Sequence, residues 1–154
     1  MIALKRAYDP AARADGVRIL VERLWPRGIA KAALPLASWH KDVAPSRELR
    51  QWFAHDPAKW AEFRRRYQAE LRAHPEVLRP LLAAARRGRL TLIYSSHDQQ
   101  HNNAVVLKHL LEARISRGSQ RRLGAAGPPS RREHKRDARR SRAGARANQK
   151  KAAA

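Results

Sequence analysis

The aromatic residues of this chain are confined to its first 94 positions. All four Trp, all three Tyr and both Phe lie at or before Tyr94, in a chain of 154 residues. Large apolar side chains supply most of the surface that a folded core buries. We therefore expect one folded domain, built from residues up to about Ile115.

The remaining segment, residues 116–154, is strongly basic. It holds 13 Lys and Arg against 2 Asp and Glu, and Leu123 is its large aliphatic residue. Such a composition cannot bury enough apolar surface to offset its ordering entropy, so the sequence predicts a disordered Arg-rich tail after a domain of residues 1–115. The tail would attach to a polyanion such as nucleic acid, or be solvated without a partner, and its composition leaves both alternatives open.

Several classes of protein are excluded or disfavoured. The chain has no Cys, which excludes disulfides, thiolate metal ligands and a Cys nucleophile. No apolar run approaches the roughly 18 residues of a membrane span, and the first residues lack the apolar centre of a signal peptide. The sequence predicts a cytoplasmic protein with no membrane partner.

Runs of apolar and β-branched residues predict about four short strands. They lie at residues 2–8, 17–21, 37–41 and 90–94. Ser46 is a suitable N-cap for a helix over residues 47–54, and Asp56-Pro57 begins a second helix. Two more helices follow, over residues 75–87 and from the Ser96–Asp98 region to about Arg114. This order predicts an α/β fold with a small mixed sheet and helices packed on it.

Charged and polar residues follow two of the predicted strands. Arg23 and Arg27 come directly after residues 17–21, and their guanidiniums could grip a phosphate or carboxylate in a bidentate manner. The alternative is two solvated arginines around a core tryptophan, Trp25. Ligands of open α/β sheets bind at the carboxyl ends of strands, which makes this block a candidate site.

The second block follows the strand over residues 90–94. Ser96 and Gln99 have the spacing of a capping box, and Asp98 is an alternative N-cap. A helix that begins here would direct free N–H groups at an anion, with His101 as an acid or base near neutral pH. The alternative is ordinary capping with an exposed histidine.

A metal site is not favoured. His97 and His101 are four residues apart, but His97 lies at the predicted junction between strand and helix, and no third ligand is evident. We therefore predict no metal, and the sequence identifies no cofactor.

Both blocks, and motifs between them, resemble one family. The matching residues are Val17–Gly28, Trp39–Ser46, Leu49–Phe53, His55-Asp56-Pro57, Trp60, Phe63, Tyr67, Glu70-Leu71, Tyr94, Asp98, His101–Ala104 and Val106-Leu107. They are similar to the YeaO-like bacterial proteins, domain of unknown function family 488, over roughly residues 2–115. The resemblance implies a compact cytosolic α/β domain and supplies no activity to carry over. This chain departs from the family pattern after about Arg114.

The leading hypothesis is a site for an anionic or nucleotide-like small ligand. Its predicted ligand-binding residues are Arg23, Arg27, Lys41, Ser95 and Asn102. If the site is catalytic, His101 is the acid or base, and the arginines stabilise negative charge. One alternative is a module without catalysis that the basic tail tethers to nucleic acid, and another is an interaction protein without a ligand.

Overall fold

The computed structural model describes residues 1–125. The chain divides into two units, Met1–Ser119 and Gln120–Ala154, and the fold and site described below belong to the first. The predicted disordered tail lies mostly outside the described residues, so it stays a prediction, as does the domain boundary at residue 115.

Four strands form one sheet in the order β1-β4-β2-β3. They are β1 (Ile2–Arg6), β2 (Val17–Leu20), β3 (Ser38–Trp39) and β4 (Leu90–Tyr94). The α/β fold is therefore as predicted, but all strand pairs are parallel, and the prediction of a mixed sheet is wrong. The connections at residues 7–16, 21–37 and 40–89 each return the chain to the end of the sheet at which all the strands begin. Parallel pairing requires connections of this kind.

Within residues 1–125, four α-helices accompany the sheet. They are α1 (Arg47–Phe53), α2 (Trp60–Ala73), α3 (Arg79–Arg87) and α4 (Asn103–Ala125). Ser46 caps α1 as predicted, by accepting a hydrogen bond from Leu49 N. Asp56 is also a cap, since it accepts from Ala58 N, but it caps a 3-10 turn over Pro57–Lys59 that leads into α2. Helix α4 extends well past the predicted end at Arg114. Within residues 1–125, no helix has both the length and the apolarity needed to cross a membrane.

The two faces of the sheet are covered differently. Alternate residues of β4, Leu90 and Leu92, pack with the buried side chains of all four helices. Ile93, which follows Leu92 and points to the other face, packs with Leu20 of β2 against the segment of residues 25–39. Because successive side chains of a strand point to opposite faces, the helices form a layer on one face and the 25–39 segment covers the other.

Candidate functional site

A cavity lies at the carboxyl ends of the two central strands, β2 and β4. Its volume is about 340 Å³, which falls within the usual range of small-molecule sites, roughly 300–1,000 Å³. Five parts of the chain contribute to its wall: the residues after β1, those after β2, the α1 region, α2 through Phe63, and the residues after β4. The lining residues are Tyr8, Glu22, Arg23, Leu24, Trp25, Pro26, Arg27, Ala44, Pro45, Arg50, Phe53, His55, Phe63, Ser95, Ser96, Asn102 and Asn103.

The chain after β2 is fixed by hydrogen bonds from three parts of the fold. Val21 N donates to Ile93 O at 3.1 Å, which extends the pairing with β4. The carbonyl of Val21 accepts from Asn103 Nδ2 at 2.8 Å, and the carbonyl of Glu22 accepts from Trp39 Nε1 at 2.6 Å. These bonds hold Glu22 at the base of the arginine block.

The Glu22 carboxyl is tied to the end of β4. Its Oε1 accepts a hydrogen bond from Ser95 N at 3.1 Å. Burial raises the pKa of Glu22, although the Ser95 N–H and the positive charge of Arg50 oppose that rise. The side chain is half-buried, so the raised pKa reflects desolvation in a site that is still open to solvent on one side.

Three guanidiniums belong to the cavity wall. Arg23 donates to the carbonyls of Pro45 and Ala44 at 3.4 and 3.5 Å, which are long contacts. Within residues 1–125, the guanidiniums of Arg27 and Arg50 have no hydrogen-bonding partner. Glu22 is the acidic side chain on this wall, and three cations against one acid make the cavity electropositive.

The rest of the wall is largely apolar and aromatic. Phe53 and Phe63 stack with their ring centroids 4.2 Å apart, and both are almost fully buried. The indole of Trp25 is fixed by a 2.6 Å hydrogen bond from its Nε1 to Ile29 O. The wall therefore combines apolar and aromatic surface with charged and polar groups, and both kinds of group are found in ligand pockets.

The amino end of α4 reaches the cavity through Asn102. This side chain is 3% exposed, and its Oδ1 accepts a hydrogen bond from Val105 N at 3.1 Å. Asn102 is therefore the N-cap. The predicted capping box from Ser96 to Gln99 is wrong, because the chain forms turns up to Asn102 before the helix begins. Asp98 stabilises this turn by accepting from the backbone N–H groups of Gln100 and His101, both at 2.9 Å.

Four of the six predicted site residues line this cavity: Arg23, Arg27, Ser95 and Asn102. Lys41 does not, because its ammonium lies 4.1 Å from the ring centroid of Trp39 and it lines a separate, neighbouring cavity.

His101 also lies outside the cavity wall. Its Nδ1 is 2.8 Å from Asp98 Oδ2, and its ring packs edge-on against Trp60 with the centroids 5.1 Å apart. These contacts give His101 a structural role in the turn before α4. The backbone bonds from Gln100 and His101, followed by the histidine side chain, lower the pKa of Asp98 and keep it an acceptor.

Among the wall residues that sequence reasoning missed, three carry charge or hydrogen bonds of the site: Glu22, Asn103 and Arg50. Glu22 stands in the same strand-end block as Arg23, and that position was the available signal. Asn103 stands beside Asn102 in the sequence, but its place on the wall depends on its hydrogen bond to Val21 O. That bond links two segments far apart in the chain, so no local pattern indicates it. Arg50 lies on a helix without any local motif, so only the packing of α1 against the sheet places it here.

The comparisons identify relatives of this arrangement. A family model described as the inactive DUF488-N3 subclade matches residues 1–130. The chain is 46% identical over 112 residues to the uncharacterized protein YeaO of Escherichia coli, covering 73% of this chain and 97% of that protein. It is 38% identical over 113 residues to uncharacterized proteins of Mycobacterium bovis and Mycobacterium tuberculosis, covering 73% of this chain and 95% of each. No solved structure matches. The family match and these identities show that the chain belongs to the DUF488 family, within its DUF488-N3 subclade.

Proposed function

We propose that this domain binds a small anionic ligand in the strand-end cavity and does not transform it. The observation that carries the proposal is the presence of three guanidiniums, from Arg23, Arg27 and Arg50, on the wall of one cavity. Guanidiniums suit phosphate and carboxylate groups because they offer paired donors in a planar arrangement. The buried amide of Asn102 adds a polar group beside them.

The charge balance favours an anion over a neutral or cationic ligand. Guanidiniums without a protein partner gain most from a ligand that supplies acceptor oxygens. The raised pKa of Glu22 also reduces the fraction of its carboxylate form at mildly acidic pH, and so reduces repulsion of an anion there.

A binding role without catalysis agrees with two observations. His101, the predicted acid or base, is held by Asp98 and Trp60 outside the cavity wall. The matching family model is also described as an inactive subclade.

The proposed location in the cytoplasm depends on the sequence features alone.

Replacing Arg27 tests the proposal. Arg27 is exposed, so Arg27→Ala should leave the unliganded melting temperature nearly unchanged. Inorganic phosphate, pyrophosphate and AMP are the probes in a thermal-shift titration followed by calorimetry. At about 100 times Kd, a ligand stabilises the native state by about 2.7 kcal/mol, and the variant should lose that stabilisation. Arg13→Ala, an exposed arginine away from the cavity, is the matched control and should behave as wild type. The proposal fails if none of the three anions shifts the melting of the wild-type protein.

A second candidate function is attachment to nucleic acid through residues 116–154. The 13 Lys and Arg in this segment, against 2 acidic residues, support it. Such attachment would be independent of nucleotide sequence and sensitive to salt.

A further inference from the structure

We infer that the ligand is a phosphorylated sugar whose hydroxyl groups donate hydrogen bonds to Glu22 while the arginines hold its phosphate. This inference rests on the proposed function, since it names the class of anion that the same cavity takes. The residue that would determine this specificity is Glu22, which the sequence motifs alone do not identify as a site residue.

The geometry leaves one Glu22 oxygen for a ligand. Oε1 accepts from Ser95 N, and no donor of residues 1–125 makes a normal hydrogen bond to Oε2, since the Ser95 hydroxyl contributes only weakly to this carboxyl. Within the same residues, the one sealed side-chain polar atom without a hydrogen-bonding partner is Arg18 Nη2, so Oε2 is not sealed inside the protein. Glu22 lines the cavity, and its second oxygen is therefore the acceptor available to a ligand there.

A carboxylate on the wall of an anion site needs a donor from the ligand. Without one, it would repel the phosphate and lose its water without replacement when the ligand fills the cavity, which is a costly arrangement. An amine on the ligand could supply the donor, but its positive charge would be repelled by the three guanidiniums on the same wall. Neutral hydroxyl groups satisfy Glu22 without this repulsion, so a sugar phosphate fits both ends of the site.

The dimensions and the apolar wall agree with a ligand of this class. A volume of about 340 Å³ is near the lower end of the usual range, which suits a sugar phosphate or a mononucleotide better than a dinucleotide. Phe53 and Phe63 line the cavity and offer apolar contact to the carbon side of a sugar ring.

The test is calorimetric titration of the full chain with methyl phosphate, ribose 5-phosphate and AMP. Methyl phosphate supplies the anion without hydroxyl groups, and ribose 5-phosphate should bind at least tenfold more tightly. AMP carries the same sugar phosphate with its 1-hydroxyl replaced by a base. Tighter binding of AMP than of ribose 5-phosphate would support a nucleotide as the source of the sugar phosphate, and weaker binding would support a free sugar phosphate.

Glu22→Gln provides the matched variant. Its amide oxygen can still accept from Ser95 N, but the charged acceptor for the sugar is lost. The preference for ribose 5-phosphate over methyl phosphate should fall at least fivefold, with the affinity for methyl phosphate kept or increased. Equal affinities of the wild-type protein for these two probes would overturn the inference and leave anion binding standing, and this comparison does not require the variant to fold. Absence of binding by every probe would overturn both proposals.

Discussion

Asp15 joins three strands through its buried carboxylate and its backbone carbonyl. Its side chain accepts from Lys5 Nζ at 2.9 Å, from Ala12 N at 2.9 Å, and from Arg18. Its backbone carbonyl accepts from Thr91 Oγ1 at 2.6 Å. These contacts connect β1, β2 and β4 at the end of the sheet where the strands begin, away from the cavity at the carboxyl ends of the strands.

The ionised form of Asp15 is strongly favoured. The hydrogen bond from Ala12 N is the main cause, followed by that from Lys5, and together they lower the pKa of Asp15 to about 2. A lowered folded-state pKa gives stability that is present above the unfolded value of 3.8 and is lost as pH falls through about 2.

Asp15→Asn should therefore destabilise the protein at neutral pH. Arg18 is 7% exposed and would lose its charge partner, so we expect a loss of about 3–5 kcal/mol in the free energy of unfolding. Urea unfolding at pH 7 measures this loss. Thermal melts at lower pH should show a flatter fall in stability between about pH 4 and pH 2 than the wild type shows.

Asp9→Asn is the control for this experiment, because Asp9 is exposed and lies in the same part of the chain. It should change the free energy of unfolding by less than about 0.5 kcal/mol. If Asp15→Asn had an equally small effect, the ion cluster would not stabilise the sheet as we describe.

At the scale of elements, the start of α4 links the fold to the cavity. Asn102 caps the helix through Val105 N, and its Nδ2 donates to Asp98 O at 2.9 Å. Asn103 then bonds to the chain after β2. One helix start therefore fixes the residues that follow both central strands.

Substitutions at Asn102 should separate stability from binding. Asn102→Ala removes the cap and leaves the Asp98 carbonyl without its donor, which should cost about 1–2 kcal/mol. Asn102→Asp keeps the accepting oxygen and should recover part of this loss, but its negative charge should weaken phosphate binding. Chemical denaturation and calorimetry give the two quantities.

Gln99→Ala provides the matched control, because Gln99 is exposed in the same turn. It should alter neither stability nor affinity. Wild-type stability of Asn102→Ala would contradict the role of Asn102 as the cap.

At the scale of the molecule, the folded unit and the basic segment that follows it have different charge patterns. The segment after residue 125 contains ten Lys and Arg and only two acidic residues. Any binding to nucleic acid that depends on them should be electrostatic, since the segment contains no aromatic residue for base stacking.

Deletion of residues 126–154 should leave the melting temperature of the domain nearly unchanged and reduce its affinity for DNA. Fluorescence anisotropy with a DNA duplex at several salt concentrations measures this effect, and the deletion should flatten the dependence of log K on log salt. A full-length variant with those ten residues replaced by Gln should behave like the deletion. Unchanged affinity and salt dependence would rule out the tail as the attachment.

The sequence predicted the elements better than their assembly. Ser46 and Asp56 were recognised as caps because capping depends on residues one to three positions away. The buried residues of α2, Phe63, Tyr67 and Leu71, recur at helical spacing, which is likewise a local pattern. The start of α4 was misplaced because Ser96 and Asp98 are both good cap residues, and only the turn held by Asp98 decides against them.

By itself, the sequence determined the α/β class, most of the elements, and the strand ends that line the cavity, including Arg23 and Ser95. These features depend on local periodicity and on the rule that strand ends carry sites. Only the tertiary structure decided that the sheet is parallel, that His101 packs on Trp60 and that Arg50 and Glu22 share one wall. Each of these depends on contacts between segments distant in the chain, and such contacts are fixed by packing rather than by any local pattern.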